Sequence, residues 1–289
     1  MDKENVAQSR IVRVSASAVE MVTKVASSNT GRFTWQKDDA IGIWTGNELT
    51  KFTLDPEWAG FGYGEFIGEL PEGGVINENS YAVYPYDDIA EATATTATFA
   101  ELSNWGIPQN TIRLYAKATA QADGNKVANY TFKHCNAYFK VTLKNVRGDA
   151  GCVFIESNKQ FLPKVTSIDF SAGEPVATVT STNDWTHQVF PDHNGKMETY
   201  SILVPVVPKA WEDDFKFVIK LYSGENFGGT LYAAHAGWFT TPTFNAGDYY
   251  IFPEITYPNA KEMNDAGSGV NDGIEDAIVI IQDPDGFWQ

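Results

Sequence analysis

Apolar and polar residues alternate one by one along much of this chain. A period of two belongs to a strand whose two faces meet different surroundings. Phe139, Val141 and Leu143 alternate with Lys140, Thr142 and Lys144. Phe215, Phe217, Ile219 and Leu221 alternate with Lys216, Val218, Lys220 and Tyr222. Near the start, Val12, Val14, Ala16 and Ala18 are separated by Arg13, Ser15 and Ser17. One apolar and one mixed face fit antiparallel sheets packed on one side and wet on the other. No long segment carries a 3.6-residue period; Trp211 to Asp214 reads as a single helical turn. The expected fold class is all-β, with two tandem antiparallel β-sandwich domains.

Further strands are expected at 33–35, 41–44, 51–54, 61–70, 81–84, 112–121, 152–156, 165–170, 177–181, 200–204 and 249–255. The polar turn Ala122-Asp123-Gly124-Asn125-Lys126 is the best internal boundary. It divides 1–126, an N-terminal sandwich, from 127–263, a C-terminal one. Residues 264–289 differ. Asn264 to Gly273 has linker composition, and Ile274-Glu275-Asp276-Ala277-Ile278-Val279-Ile280-Ile281 is strongly strand-prone. Left exposed, such a strand is an aggregation hazard, so it is expected to pair with its own body or with a neighbour.

The chain has 289 residues and a net charge of −16. That charge argues against nucleic-acid partners and against docking on anionic lipid, both of which need clustered Lys and Arg. No apolar run approaches the length of a membrane helix, about 18 residues. The polar start Met1-Asp2-Lys3-Glu4-Asn5 is not a signal segment; an exported, mature form is the expectation. Cys135 and Cys152 are too few for a disulfide framework. The sequence does not decide whether they pair, and free buried thiols are expected.

Chemistry is hard to find. Phosphate-loop, dinucleotide, nucleophile-elbow and zinc-protease patterns are absent. His187 and His193, with Asp184 and Asp192, read as a solvated loop rather than a metal cluster. His134 beside Cys135 reads as a packed imidazole rather than a thiolate partner. The pairs Asp38/Asp39, Asp87/Asp88 and Asp213/Asp214 read as turns, since adjacent strand residues face opposite ways. The tail's Asp283-Pro284-Asp285-Gly286 lacks the ligand pattern of a calcium loop. No enzyme, cofactor or metal is expected. The eight tryptophans read first as core; a sugar-stacking platform is the second reading.

Several segments, in this order, resemble the fimbrillins, subunits of type V pili. They are the strand Ile11 to Ala18; Phe33-Thr34-Trp35-Gln36-Lys37-Asp38-Asp39-Ala40-Ile41-Gly42-Ile43-Trp44, similar to the family's Trp-x-x-x-Asp-x-Ile-Gly signature; Phe66-Ile67-Gly68-Glu69-Leu70; Tyr81-Ala82-Val83-Tyr84-Pro85; Phe132-Lys133-His134-Cys135-Asn136-Ala137-Tyr138-Phe139; and Phe244-Asn245-Ala246-Gly247-Asp248-Tyr249-Tyr250. The resemblance implies transthyretin-like sandwiches, no catalysis, and export to the outer membrane surface as a lipoprotein whose lipidated cysteine would precede Met1. It implies other pilin subunits as partners, with host or bacterial surface ligands besides, and membrane contact only through that lipid. It implies protease cleavage at a basic residue, here Lys24, that frees the first strand (Val12, Val14, Ala16, Ala18). A neighbour's strand then fills the groove. The tail strand, with Ile274, Ala277, Ile278, Val279, Ile280 and Ile281, is expected to act as the donor, bulkier than the strand it replaces and held by ladder bonds and side-chain pockets, or as a strand displaced during assembly. A surface carbohydrate-binding lipoprotein using exposed aromatics is the alternative.

Overall fold

A computed structural model describes residues 10–19, 22–23, 33–102, 111–119, 128–146, 152–182, 186–189, 198–222, 231–252, 254–256 and 278–280. In chain order the strands begin with β1 (Arg10–Ala18), β2 (Val22–Thr23), β3 (Ala40–Trp44), β4 (Leu49–Leu54), β5 (Tyr63–Leu70), β6 (Tyr81–Tyr84) and β7 (Ile89–Ala92). They continue with β8 (Thr96–Phe99), β9 (Leu114–Thr119), β10 (Asn129–His134), β11 (Ala137–Val146), β12 (Cys152–Ser157), β13 (Pro163–Asp169) and β14 (Val176–Ser181). The last are β15 (Thr186–Val189), β16 (Glu198–Val206), β17 (Phe215–Tyr222), β18 (Leu231–Phe239), β19 (Asp248–Ile251), β20 (Ile255–Thr256) and β21 (Ile278–Ile280). The only helical pieces among the described residues are 3-10 turns at Pro56–Trp58 and Tyr86–Asp88. The fold is all-β.

Seven strands close a barrel in the order β1-β10-β9-β6-β3-β4-β5. Inward residues of the alternating strands fill it: Val14, Ile41, Ile43, Phe52, Phe66 and Phe132 are all fully buried. At its centre Trp35 meets Phe33, Phe66, Tyr84 and Phe132 edge-on, at ring-centroid distances of 4.6, 5.0, 5.4 and 5.8 Å. In such contacts the positive ring edge faces a negative ring face. Residues 122–126 lie outside the described residues; the strands that flank them in sequence, β9 and β10, are antiparallel neighbours in this barrel with Tyr130 opposite Ala118. The first core therefore draws on residues from both sides of that segment.

The later part of the chain forms two sheets, β16-β11-β19-β2 and β15-β12-β17-β18-β21, with β20 also pairing β11. They share one core: Phe139, Val141 and Leu143 from β11 and Ile202 and Val204 from β16 meet Val153 and Ile155 from β12 and Phe215, Phe217 and Ile219 from β17. The alternation at Phe139 to Lys144 and at Phe215 to Tyr222 is the sequence trace of this arrangement.

A fourth sheet, β14-β13-β8-β7, joins strands far apart in sequence, with Ser167 opposite Thr98 and Ile168 opposite Ala97. It covers the outside of β6 and β9, where Tyr81, Val83 and Tyr115 pack with Phe99, Ile168 and Phe170. Tyr81 stacks on Phe170 at 4.0 Å. This cover is why Leu114, Tyr115 and Ala116 are buried in succession, where the sequence pattern alone gives β9 one polar face. Arg113 sits fully buried at this seam, donating from Nη2 to the Ala100 carbonyl at 2.6 Å, over the Phe99 ring at 4.9 Å and 3.6 Å from Asp88. Burial lowers its pKa, and Asp88 opposes that shift.

Three local expectations are corrected. Trp211 to Asp214 is a bend, not a helical turn: the Trp211 N–H goes across to the Pro242 carbonyl (2.9 Å) and its ring packs on Phe215 (5.8 Å). The stretch 249–255 is two strands, because its pairing with β11 shifts by one residue between Lys140↔Ile251 and Leu143↔Ile255. The ladders are not all antiparallel. β1 runs parallel to β10, β19 and β20 to β11, β2 to β19, and β21 to β18. The amino-terminal and tail strands thus enter their sheets alongside strands running the same way.

Candidate functional site

The first strand lies inside the barrel wall rather than on a free edge. β1 pairs antiparallel with β5 from Arg10↔Leu70 to Ser17↔Tyr63, and parallel with β10 from Ser15↔Asn129 to Ala18↔Phe132. Val12, Val14 and Ala16 point inward and are buried, and Ala18 packs partly buried on the same core. The neighbouring wall is glycine at two of the facing positions, its space filled by β4. Gly64 stands opposite Ala16 and Gly68 opposite Val12. A Cβ at Gly64 would come within 2.7 Å of Leu54 Cδ1, and one at Gly68 within 2.6 Å of Phe52 Cδ1.

Two side-chain ties hold β1. On the outer face Arg13 Nη1 lies 2.7 Å from Asp55 Oδ2 and 3.5 Å from Glu65 Oε2. The Arg13 hydrogen bond holds the Asp55 carboxyl below its ordinary pKa. Asp55 also caps the turn Pro56–Trp58 by accepting from the Glu57 N–H at 3.3 Å. At the far end His134, which is buried, ties the residue after β1. Its Nε2 lies 3.1 Å from the Val19 carbonyl oxygen and its Nδ1 3.3 Å from the Tyr138 hydroxyl. A carbonyl only accepts, so Nε2 carries the proton and Nδ1 accepts from Tyr138. Burial lowers the His134 pKa to about 4. The Val19 N–H donates to the Phe132 carbonyl at 2.8 Å.

Beyond Val19 the segment reaches the second body, where β2 forms the edge of its sheet with Val22 opposite Asp248 and Thr23 opposite Tyr249. Lys24 lies outside the described residues. In the tail, β21 adds to the edge of another sheet, with Ile278 opposite Ala234, Val279 opposite His235 and Ile280 opposite Ala236. Ile274, Ala277 and Ile281 lie outside the described residues. The structure thus seats β1 in the barrel and β21 on the second body, and does not bring them together.

The remaining candidates have structural roles or fall outside view. Asp39 is half-buried and accepts from the Gln36 N–H (2.6 Å) and the Tyr84 hydroxyl (3.0 Å), with burial raising its pKa. Asp38 turns the chain with φ 70°. Asp87 pairs with Lys51 at 3.1 Å and Asp213 with Lys159 at 3.1 Å. Cys135 and Cys152 are buried and not joined in a disulfide, and burial raises the Cys135 pKa. His187 lies on β15, whose side chains are not described, and Asp184, Asp192 and His193 lie outside the described residues. Among the described residues no group of three or more His, Cys, Asp or Glu is placed to hold a metal. Sequence reasoning missed the parallel partner β10 and the His134–Val19 tie. Only the spacing from Phe132 to His134, one strand face, hinted at the second.

No protein-family model matches the chain, and no curated protein sequence matches it. Among solved structures it is similar to a putative cell adhesion protein from Bacteroides ovatus, at 16% identity, covering 86% of this chain and 92% of that one with a TM-score of 0.47. It is similar to a fimbrial protein from Bacteroides ovatus at 14% identity, covering 87% of this chain and 51% of that one with a TM-score of 0.40. It is also similar, over 78% of its own length and 82% of the other, to the fimbrial anchor protein Mfa2 from Porphyromonas gingivalis, at 10% identity and a TM-score of 0.32.

Proposed function

We propose that this chain is a structural subunit of a cell-surface fimbria of the type V class, built from transthyretin-like modules and a tail beyond residue 263. It assembles when cleavage at Lys24 lets the first strand leave and the tail strand of a neighbouring subunit takes its place. Other pilin subunits are its partners, and the outer membrane surface its location. One observation carries the reading: β1 fills a slot between β5 and β10 with inward side chains no larger than valine.

A strand in such a slot is held chiefly by its main-chain ladder, which any strand of the same direction reproduces. Inward Val and Ala side chains bury less apolar surface than Ile, at about 0.8 kcal/mol per methylene. A tail rich in isoleucine therefore gains on exchange, provided the core makes room. The sequence resemblance supports the same reading through the order of its segments. The test is deletion of residues 270–289 with the protein cleaved by a lysine-specific protease. The full chain is expected to form ladders of stable oligomers and the deletion variant to stay monomeric and folded. A deletion variant that still polymerises contradicts the donor role.

A further inference from the structure

Outside the slot, over the second half of β1, lies an open trough of about 340 Å³. Its wall is aromatic. Trp58 and Tyr63 line it, with ring centroids 5.1 Å apart, and Phe61 stands 6.1 Å from Tyr63 and 6.3 Å from Trp58. Phe61 is 49% and Tyr63 57% exposed, the largest exposed aromatic grouping among the described residues. An apolar cluster left in water marks an interaction site more often than it marks packing. The platform is rigid: the Gly60 N–H donates to the Trp35 carbonyl at 2.7 Å, the Trp35 N–H to the Phe61 carbonyl at 2.9 Å, and Asp55 caps the turn that carries Trp58.

Apart from Ala16, Gly64 and Tyr130, the rest of the lining is polar and carries no Lys or Arg: Ser15, Ser17, Thr119, Asn129, Thr131 and the single carboxylate of Glu65. Two hydroxyls of lining residues, Ser15 Oγ and Tyr130 OH, are buried without a hydrogen-bond partner among the described residues, and Tyr130 is only 1% exposed.

We propose that this trough binds a neutral pyranose, its C–H face on Tyr63 and Trp58 and its hydroxyls toward the Ser, Thr, Asn and Glu groups. The lining selects against the other ligand classes. An anion finds no basic side chain there. A peptide strand finds no free ladder, because β1, β5, β9 and β10 already pair with each other around the closed barrel. A purely apolar ligand would cover the Ser, Thr, Asn and Glu groups of the lining without pairing them. The volume lies at the lower end of the range for small-ligand sites, about 300–1,000 Å³, and suits a mono- or disaccharide. β1 supplies Ser15 and Ser17, so departure of the first strand, which rests on the function proposed above, removes part of the site.

The test uses the full chain with its tryptophan indoles observed by NMR, the Trp58 signal identified by its loss in Trp58→Phe. Methyl β-D-galactopyranoside, methyl β-D-glucopyranoside and methyl α-D-mannopyranoside are each titrated to about 100 mM, since ligands of this size bind in the millimolar range. At least one is expected to shift the Trp58 indole saturably. Tyr63→Ala, at an exposed position that leaves the core intact, is expected to weaken that binding at least tenfold. An unmoved Trp58 signal with all three glycosides overturns the proposal. So does a shift that Tyr63→Ala leaves unchanged.

Discussion

The imidazole Nε2 of His134 lies 3.1 Å from the carbonyl oxygen of Val19, the residue that follows the first strand. This bond joins the end of β10 to the point where β1 leaves the barrel and needs a proton on Nε2, while burial and the Tyr138 hydroxyl donating to Nδ1 keep the ring neutral. The folded pKa, about 4, lies below the unfolded value of 6.5. The unfolded chain therefore binds the extra proton first. The stabilisation from neutral His134 is complete above pH 6.5 and is lost as the pH falls from there toward 4. Its full size is about 3 kcal/mol at most. Urea unfolding at pH 7 and pH 4.5 is expected to show a larger acid loss in the wild type than in His134→Gln. Equal losses would mean that the ring is already charged in the fold.

Trp35 organises the barrel core through four edge-on ring contacts and is fully buried. Trp35→Ala removes them and leaves a cavity, with an expected cost of about 3–5 kcal/mol. Calorimetry checks it, and a change under 1 kcal/mol would place Trp35 outside the cooperative core.

The wall opposite β1 has no room for a methyl group at Gly68, where the Phe52 ring is 2.6 Å from the ideal Cβ position and is itself fully buried. Gly68→Ala is expected to cost about 1–3 kcal/mol. At Gly173, where a Cβ meets nothing within 4 Å, the same change is expected to stay within about 0.5 kcal/mol. Denaturant midpoints of the two variants separate close packing from the general cost of losing a glycine.

Much of the fold was legible because one principle governed it locally. Alternation placed β1, β11 and β17 to within a residue or two, since each has one face on a core. What was hidden depends on contacts made at long range. The strands β7, β8, β15 and β18 carry weak patterns; β7 and β8 gain their place by pairing into a sheet with β13 and β14. Tyr115 reads as an outward residue until Phe170 is brought against it at 6.4 Å. The 3-10 turn at Pro56–Trp58 was readable in principle, since Asp55 followed by Pro56 is a cap with a first-turn proline. Of the candidate site, the small inward residues of β1 were plain in the sequence. That β1 runs parallel to β10 was not, because nothing local records the direction of a partner more than a hundred residues away.

Cys135 and Cys152 are buried thiols not joined in a disulfide, and burial raises the Cys135 pKa because the thiolate is the form that suffers most from lost solvation. Both are expected to resist Ellman's reagent in the native protein and to react fully in denaturant. Fast reaction of either in the native state would contradict their burial.

Replacement of β1 beside β5 by a neighbour's tail, as proposed above, is tested by pairing a single cysteine at Ile67, on β5 opposite Arg13, with single cysteines scanned through 274–281 on a second copy, under mild oxidation. Disulfide-linked chains are expected at alternate tail positions, and only after cleavage at Lys24. Polymer that forms while no tail position links to β5, or links that form equally well without cleavage, would contradict the account.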